Sequence, residues 1–288
     1  MYFQLICKRS LCCQECLDLR QLYKVETFAP VGGSPQGKPI GVLWHEAVSG
    51  RSAEDVASSY IKLIRENRDV QKFVFWADNC SAQNKNWYIF TALVHEVNRE
   101  IGSLNSVTIK YFEPGHTFMS ADSFHHQIEQ GMRTKKRVDN FEDFVSIVNS
   151  KGKSIVMKFD DFYHIPKGVS QAKYAQHKPK LDLVQIVEFR KGSTKMFWKG
   201  SHIEEEFKEA EFLQRKLQNN FGKFNQKSEP RVVATSKRDE IISKLCPHMK
   251  ENRREFWYNL FVNDRSVDLV EERDPNENDT ITNEDIEN

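Results

Sequence analysis

The sequence predicts an α/β protein: a mixed sheet flanked by helices, then a helical or mixed C-terminal extension and a disordered acidic tail. Three observations carry this. Segments with the composition of strands alternate with segments of helical period between Ser52 and Asn149. An antiparallel pair of strands precedes the alternation, and alternation after such a pair implies a mixed sheet rather than a purely parallel one. From Asp264 onward large apolar residues are few and acids many, a composition that cannot bury enough surface to order itself.

The elements follow in order. Residues 1–20 form a Cys-rich leader without periodicity and are left unassigned. QLYKVETF, Gln21 to Phe28, suits a strand, VGGSPQGKP is a Gly/Pro turn, and Ile40 to Trp44 is the returning strand. Ser52 to Arg65 is an amphipathic helix with Ser52 as N-cap and Glu54 and Asp55 in its first turn, where the macrodipole favours acids. Phe73 to Trp76 is a run of four bulky apolar residues, the pattern of a strand buried on both faces, and it ends at Asp78. Trp87 to Ile101 is a second amphipathic helix closed by Gly102, and SVTIKYF from Ser106 is a strand by its β-branched and aromatic content. Ser120 to Met132 and Phe141 to Asn149 are helices. Together, residues 21–165 make the core unit. The extension, residues 166–263, holds strands at Leu183–Arg190 and Lys195–Trp198 in a hairpin, then basic helices at His202–Gln218 and Arg238–Val262. Ser154–Phe159 is a further strand, and residues 264–288 are the acidic tail.

A chain of 288 residues with 39% hydrophobic and 29% charged residues has room for a full core and a solvated periphery. No apolar run approaches the length of a membrane span, and MYFQLICKRS has its charges on the wrong side for a signal peptide, so an intracellular location is expected. The formal net charge of +1 hides an asymmetry: residues 264–288 carry −8, leaving +9 on the rest. A basic body with an acidic tail is compatible with a nucleic-acid partner and equally with an ordinary soluble protein. Short basic groups at 134–137, 190–191, 237–240 and 252–254 add to the former reading, as does the interleaving of Lys195, Phe197, Trp198 and Lys199. Taken singly, each is as readily a solvated helix face. Of the six cysteines, Cys7, Cys12, Cys13 and Cys16 cluster in the leader, but a second ligand pair at zinc spacing is missing, so zinc is not expected.

Two polar stretches carry the candidate chemistry. The first is DNCSAQNKN, beginning at Asp78 at a strand's carboxyl end, where open α/β sheets place ligand sites. The second is PGHTFMSADSFHHQIE, which brings His116, Asp122 and Glu129. Asp122 and Glu129 are seven residues apart, about two helical turns, and so share a face. A strand-end Asp with a helix-borne carboxylate is what a two-metal phosphoryl-transfer site uses, with Mg²⁺ or Mn²⁺ as the hard cation. The bland alternatives stand beside it: Asp78 as a turn residue, Asp122 as a helix cap, Glu129 as a surface acid, and Cys80 as an incidental thiol.

DNCSAQNKN, GHTFMSADSFHHQIE and WHEAVSGRSAEDVAS (from Trp44) together resemble the signature of an uncharacterised transposon-derived animal domain over roughly residues 21–165. That domain is similar to the RNase H-like superfamily of DDE transposases and integrases. The resemblance implies an RNase H-like mixed five-stranded sheet and a DDE-type nuclease or strand-transferase acting on DNA phosphodiesters. By that pattern Asp78 is the second catalytic acid, Glu129 or Asp122 the third, and all three are metal ligands, with His116 orienting a phosphate or an acid. DNA is the implied partner and the nucleus the implied location, with no membrane and self-association left open. The chain departs from the pattern at the first acid, which belongs on the sheet's first strand. Residues 1–20 offer only Glu15 and Asp18, with Glu26 and Glu46 as fallbacks. The chain therefore reads as a fragment or degenerate copy, the alternative function being a catalytically inactive DNA- or protein-binding module.

Overall fold

A computed structural model describes residues 2–6, 22–30, 37–80, 84–113, 120–135, 137–169, 178–219 and 221–263. Nine strands form one mixed sheet. At its centre lie β1 (Tyr2–Ile6), β2 (Tyr23–Pro30), β3 (Ile40–His45), β4 (Lys72–Ala77) and β5 (Ser106–Tyr111), in the spatial order β3-β2-β1-β4-β5. β2 is antiparallel to both its neighbours β1 and β3, while β4 runs parallel to β1 and β5 parallel to β4. Four of these strands were expected from sequence; β1 was not, because it falls in the leader left unassigned, and four more strands widen the sheet. β6 (Lys153–Val156) adds in parallel beside β3, and the meander β8 (Ile186–Arg190), β9 (Met196–Lys199), β10 (Lys208–Ala210) extends the β5 edge. Segments expected to lie in a separate extension therefore continue the core's own sheet.

The helices follow from local chemistry. In α1 (Ala53–Glu66), Ser52 and Asp55 close a reciprocal capping box, the Asp55 carboxylate reaching back to the Ser52 amide at 2.9 Å. Asn86 caps α2 (Trp87–Val97) and Asn140 caps α4 (Phe141–Lys151), each side chain accepting the amide three residues on at 3.0 Å. α3 (Ser120–Thr134) precedes α4. Alternation along the strands decides which face each helix covers. Phe28 of β2, Phe73 and Phe75 of β4, Val107 and Ile109 of β5 and Val187 and Phe189 of β8 pack beneath α1 and α2. Tyr23 and Val25 of β2, with Leu43 of β3, pack beneath α3 and α4 on the other face.

Two expectations in the C-terminal third are corrected. His202–Gln218 is not a helix: it holds β10 and a 3₁₀ turn at Arg215–Leu217, because pairing with β9 supplies the hydrogen bonds that Lys208–Ala210 would otherwise make in a helix. Arg238–Val262 is not continuous: α5 (Thr235–Lys244) and α6 (Glu251–Tyr258) are separated by a 3₁₀ turn at Cys246–His248, where Pro247 lacks the amide an α-helix needs. Both helices join the second core, and Trp257, fully buried, donates its indole N–H to the Asp139 carbonyl at 2.9 Å. The short pairs β7 (Tyr163–His164) with β11 (Asn225–Gln226), and β12 (Val233–Ala234) with β13 (Val262–Asn263), tie the remaining loops down. Among the described residues no helix is long and apolar enough to cross a membrane. Cys7, Cys12, Cys13, Cys16, Glu15, Asp18 and the acidic tail lie outside the described residues.

Candidate functional site

Parallel pairing of β1, β4 and β5 brings three strand ends to one edge of the sheet, with Leu5 abreast of Ala77 and Ala77 abreast of Tyr111. Asp78 is the next residue of β4. It is half-buried, and its Oδ1 accepts from Asn84 Nδ2 at 2.6 Å and from the Cys80 amide at 3.2 Å. Asn84 is fully buried, and its carbonyl accepts from Tyr111 Oη at 2.8 Å. Asp78 is therefore fixed from the turn that follows it rather than left in solvent. Burial raises its pKa above the usual carboxylate value, the Asn84 and Cys80 donors work against that rise, and the charge of Asp122 adds to it.

Asp122 stands in the first turn of α3, within the electrostatic reach of Asp78. Glu129, on the same helix, faces its own histidines: Oε1 lies 3.5 Å from His125 Nε2 and Oε2 lies 4.0 Å from His126 Nδ1. His116 lies outside the described residues. Of the four side chains singled out in the sequence, two feel one another and a third turns to a different partner.

The structure adds residues that the sequence did not single out for the site, or offered only as fallbacks. Glu26 of β2 is wholly buried and its Oε1 accepts from Arg51 Nε at 2.9 Å and Nη2 at 2.7 Å. Its Oε2 is buried without a hydrogen-bond partner among the described residues. Burial raises the Glu26 pKa, Arg51 lowers it, and the charge of Asp78 raises it again. Glu46, the other fallback acid, is committed to Lys237 at 2.9 Å. Lys85 is also buried: its ammonium donates to Asn79 Oδ1 at 2.9 Å and stands 4.6 Å from the centre of the Tyr111 ring. Desolvation lowers its pKa to about 8. The sequence signal for Glu26 and Arg51 was an acid amid the apolar residues of a strand and a base just before a helix cap, which is weak without the fold to join them.

A divalent cation needs several hard oxygen donors left free to converge. Asp78 and Asp122 offer the hard oxygens that Mg²⁺ takes. However, Asp78 Oδ1 is engaged by Asn84 and Cys80, Glu26 is held by Arg51, and Glu129 faces the histidines. Among the described residues no group of three or more His, Cys, Asp or Glu side chains is disposed to hold a metal ion. The described set does not fit a two-metal centre.

The site and sheet define a mixed α/β domain with an acidic pair at the carboxyl end of its central parallel strands. Residues 58–199 of this chain match a family model described as a domain of unknown function, DUF7869. The match takes in β4, α2, β5, α3 and the β8–β9 pair, and with them Asp78, Lys85, Asp122 and Glu129. No curated protein and no solved structure matches the chain.

Proposed function

We propose that the chain is a transposon-derived, RNase H-like domain that binds DNA without cutting it. The order β3-β2-β1-β4-β5, antiparallel in its first three strands and parallel thereafter, is the arrangement of RNase H-like folds and supports the fold half of the reading. One observation carries the functional half. The central strand, Tyr2–Ile6, reads YFQLI and has no carboxylate where such a fold carries its first catalytic acid. Two cations about 4 Å apart repel one another unless carboxylates between and around them neutralise the pair. Losing the acid on the central strand removes the residue best placed to do so. The net +9 of residues 1–263 supports a polyanionic partner.

The test pairs binding with cleavage. Wild-type protein is expected to retard a labelled duplex in a salt-dependent manner and to leave supercoiled plasmid intact in Mg²⁺ or Mn²⁺. Asp78→Asn is expected to bind the duplex as the wild type does. Nicking that disappears in Asp78→Asn would overturn the reading.

A second reading, two-metal phosphodiester transfer, is favoured by one specific feature. Asp122 raises the pKa of Asp78, and Asp78 raises that of Glu26, so three carboxylates share one field at the strand ends. That reading requires Glu26 to exchange Arg51 for a cation in order to substitute for the missing acid, since its Oε1 is held by that guanidinium. Calorimetric titration with Mn²⁺ distinguishes the two: saturable binding lost in both Asp78→Asn and Glu26→Gln belongs to the second reading, and no binding belongs to the first.

A further inference from the structure

The basic groups conspicuous in the sequence are largely neutralised within the fold. Lys135 pairs with Asp143, Arg190 with Glu188, Lys237 with Glu46, Arg238 with Asp239, and Arg253 with Glu142. Lys199 donates to the Glu204 and Glu205 carbonyls. Charges already spent on acids and carbonyls gain little from a phosphate, because contact with it would break an existing interaction.

A different set of cations is gathered by the loops that overlie α2. Thr91 Oγ1 on that helix donates to the Lys167 carbonyl at 3.0 Å. Gly168 follows, its carbonyl accepting from the Gln214 amide at 2.8 Å, and Val169 bridges Leu213. Lys167 is therefore fixed beside Arg215 and Lys216, although nearly fifty residues separate them in sequence. Phe212 packs on Trp87, one helical turn from Thr91, with ring centres 5.4 Å apart, and the Lys178 ammonium stands 4.9 Å from the Trp87 ring. Lys180 is two residues beyond. Lys167, Lys180, Arg215 and Lys216 are exposed, and no ion pair joins any of the four to an acid among the described residues. Glu211 and Asp182 are the acids in the same loops. The patch lies alongside the start of α2, and the Lys85 ammonium reaches the Asp182 carbonyl at 3.4 Å, linking it to the strand ends that carry Asp78.

We propose that Lys167, Lys178, Lys180, Arg215 and Lys216 form the surface that binds the phosphodiester backbone of duplex DNA. The inference rests on the DNA-binding reading and assigns it a location. Recognition here is electrostatic and indifferent to base sequence, since the surface offers flexible ammonium and guanidinium groups to phosphates rather than a helix or ribbon to a groove. Binding releases condensed counterions, and each phosphate contact contributes about one unit to the slope of log affinity against log salt.

The test is fluorescence anisotropy with a labelled duplex of mixed sequence, between about 50 and 200 mM salt. The full-length wild type is compared with Lys167→Gln/Lys180→Gln/Arg215→Gln/Lys216→Gln and with a control, Arg238→Gln/Lys244→Gln, whose charges are already paired on α5. All six side chains are solvent-accessible, and equal thermal melting of the three proteins establishes that the fold is kept. The expected result is a salt slope lower by about 4 in the quadruple variant and unchanged in the control. A wild type that binds, with a quadruple variant of equal affinity and slope, overturns the surface and leaves the DNA-binding reading standing. A wild type with no affinity for the duplex overturns both.

Discussion

Acid should weaken this protein through two histidines that the fold keeps neutral. His95 of α2 is 3% exposed, its ring 4.5 Å from that of Phe224 and 5.2 Å from that of Phe221. His45 of β3 lies edge-on between Phe141 and Phe256, with Nδ1 buried and without a partner among the described residues. Desolvation lowers each pKa from 6.5 to about 4. A folded-state pKa below the unfolded value means that the unfolded chain binds protons first as pH falls. The stability is complete above 6.5 and is lost progressively toward 4. At pH 5 the linkage relation gives about 2 kcal/mol for each histidine, and about 4 kcal/mol for both, since they lie in different cores and should act independently. Urea denaturation at pH 7 and pH 5 measures the loss in the wild type and in His45→Phe/His95→Phe, which keeps the rings but not the titration. Comparing the two proteins removes the contribution of the carboxylates common to both. The reasoning is refuted if the acid-induced loss differs between them by less than about 1 kcal/mol.

Other outcomes follow from the same structure. Asp78 has a raised pKa, so its ionisation opposes folding: the favourable contribution exists below the unfolded value and is forfeited as pH rises through the folded one. Asp78→Asn should therefore be more stable than wild type at pH 7, an advantage that fades on acidification, and a thermal melt at two pH values would reveal the opposite sign if it occurred. Asn84→Ala removes a hydrogen bond to that carboxylate and should cost about 2 kcal/mol in urea while driving the Asp78 pKa higher still, as followed by carboxyl NMR. Gly168 has φ +75°, and a Cβ there would stand 2.1 Å from Thr91 Oγ1, so Gly168→Ala should lose about 2 kcal/mol from backbone strain and a broken Thr91 bond. A cost below about 0.5 kcal/mol would mean that this loop is not held against α2 as described. Glu96, 1% exposed, holds Arg65 at 2.9 Å and Arg99 at 3.0 Å, and Glu96→Ala should cost about 3 kcal/mol by stranding partly buried guanidinium groups.

The sequence was legible where the physics is local. Ser52 and Asp55 announce a helix start three residues apart, and the structure closes both bonds of the capping box. Phe73 to Trp76 could be read as a strand because the apolar run is short and bounded by polar residues, though it is not buried on both faces as expected: Phe73 and Phe75 are fully buried and Val74 and Trp76 half-buried. Gly102, with φ +134°, follows α2 where a helix stop was expected, though the helix itself ends at Val97. Legibility failed where tertiary pairing decides. YFQLI is short and unremarkable, yet it occupies the middle of the sheet, and KEA at 208–210 is a strand only because β9 offers it a ladder. The candidate site divides the same way. Asp78 at a strand end was visible from one segment, whereas the meeting of Glu26 with Arg51 depends on β2 lying beside the loop before α1. The cations of the surface over α2 are scattered through 167–216 and had no pattern to give them away.

The position of β1 makes the sheet resemble a zip closed by a single tooth. β2 and β4 do not touch as ladders; each is bonded only to β1 on its inner side. Without Tyr2–Ile6 the described ladder would part into β2-β3-β6 and β4-β5-β8-β9-β10, each with a raw inner edge of unpaired amides and carbonyls. Tyr2–Ile6 must therefore wait for β4, some seventy residues further along the chain, before the two halves are joined. Until then either inner edge can recruit the wrong strand, including one from a neighbouring copy. A substitution in Tyr2–Ile6 that weakens either ladder would act on self-association long before it acted on any surface of the finished protein.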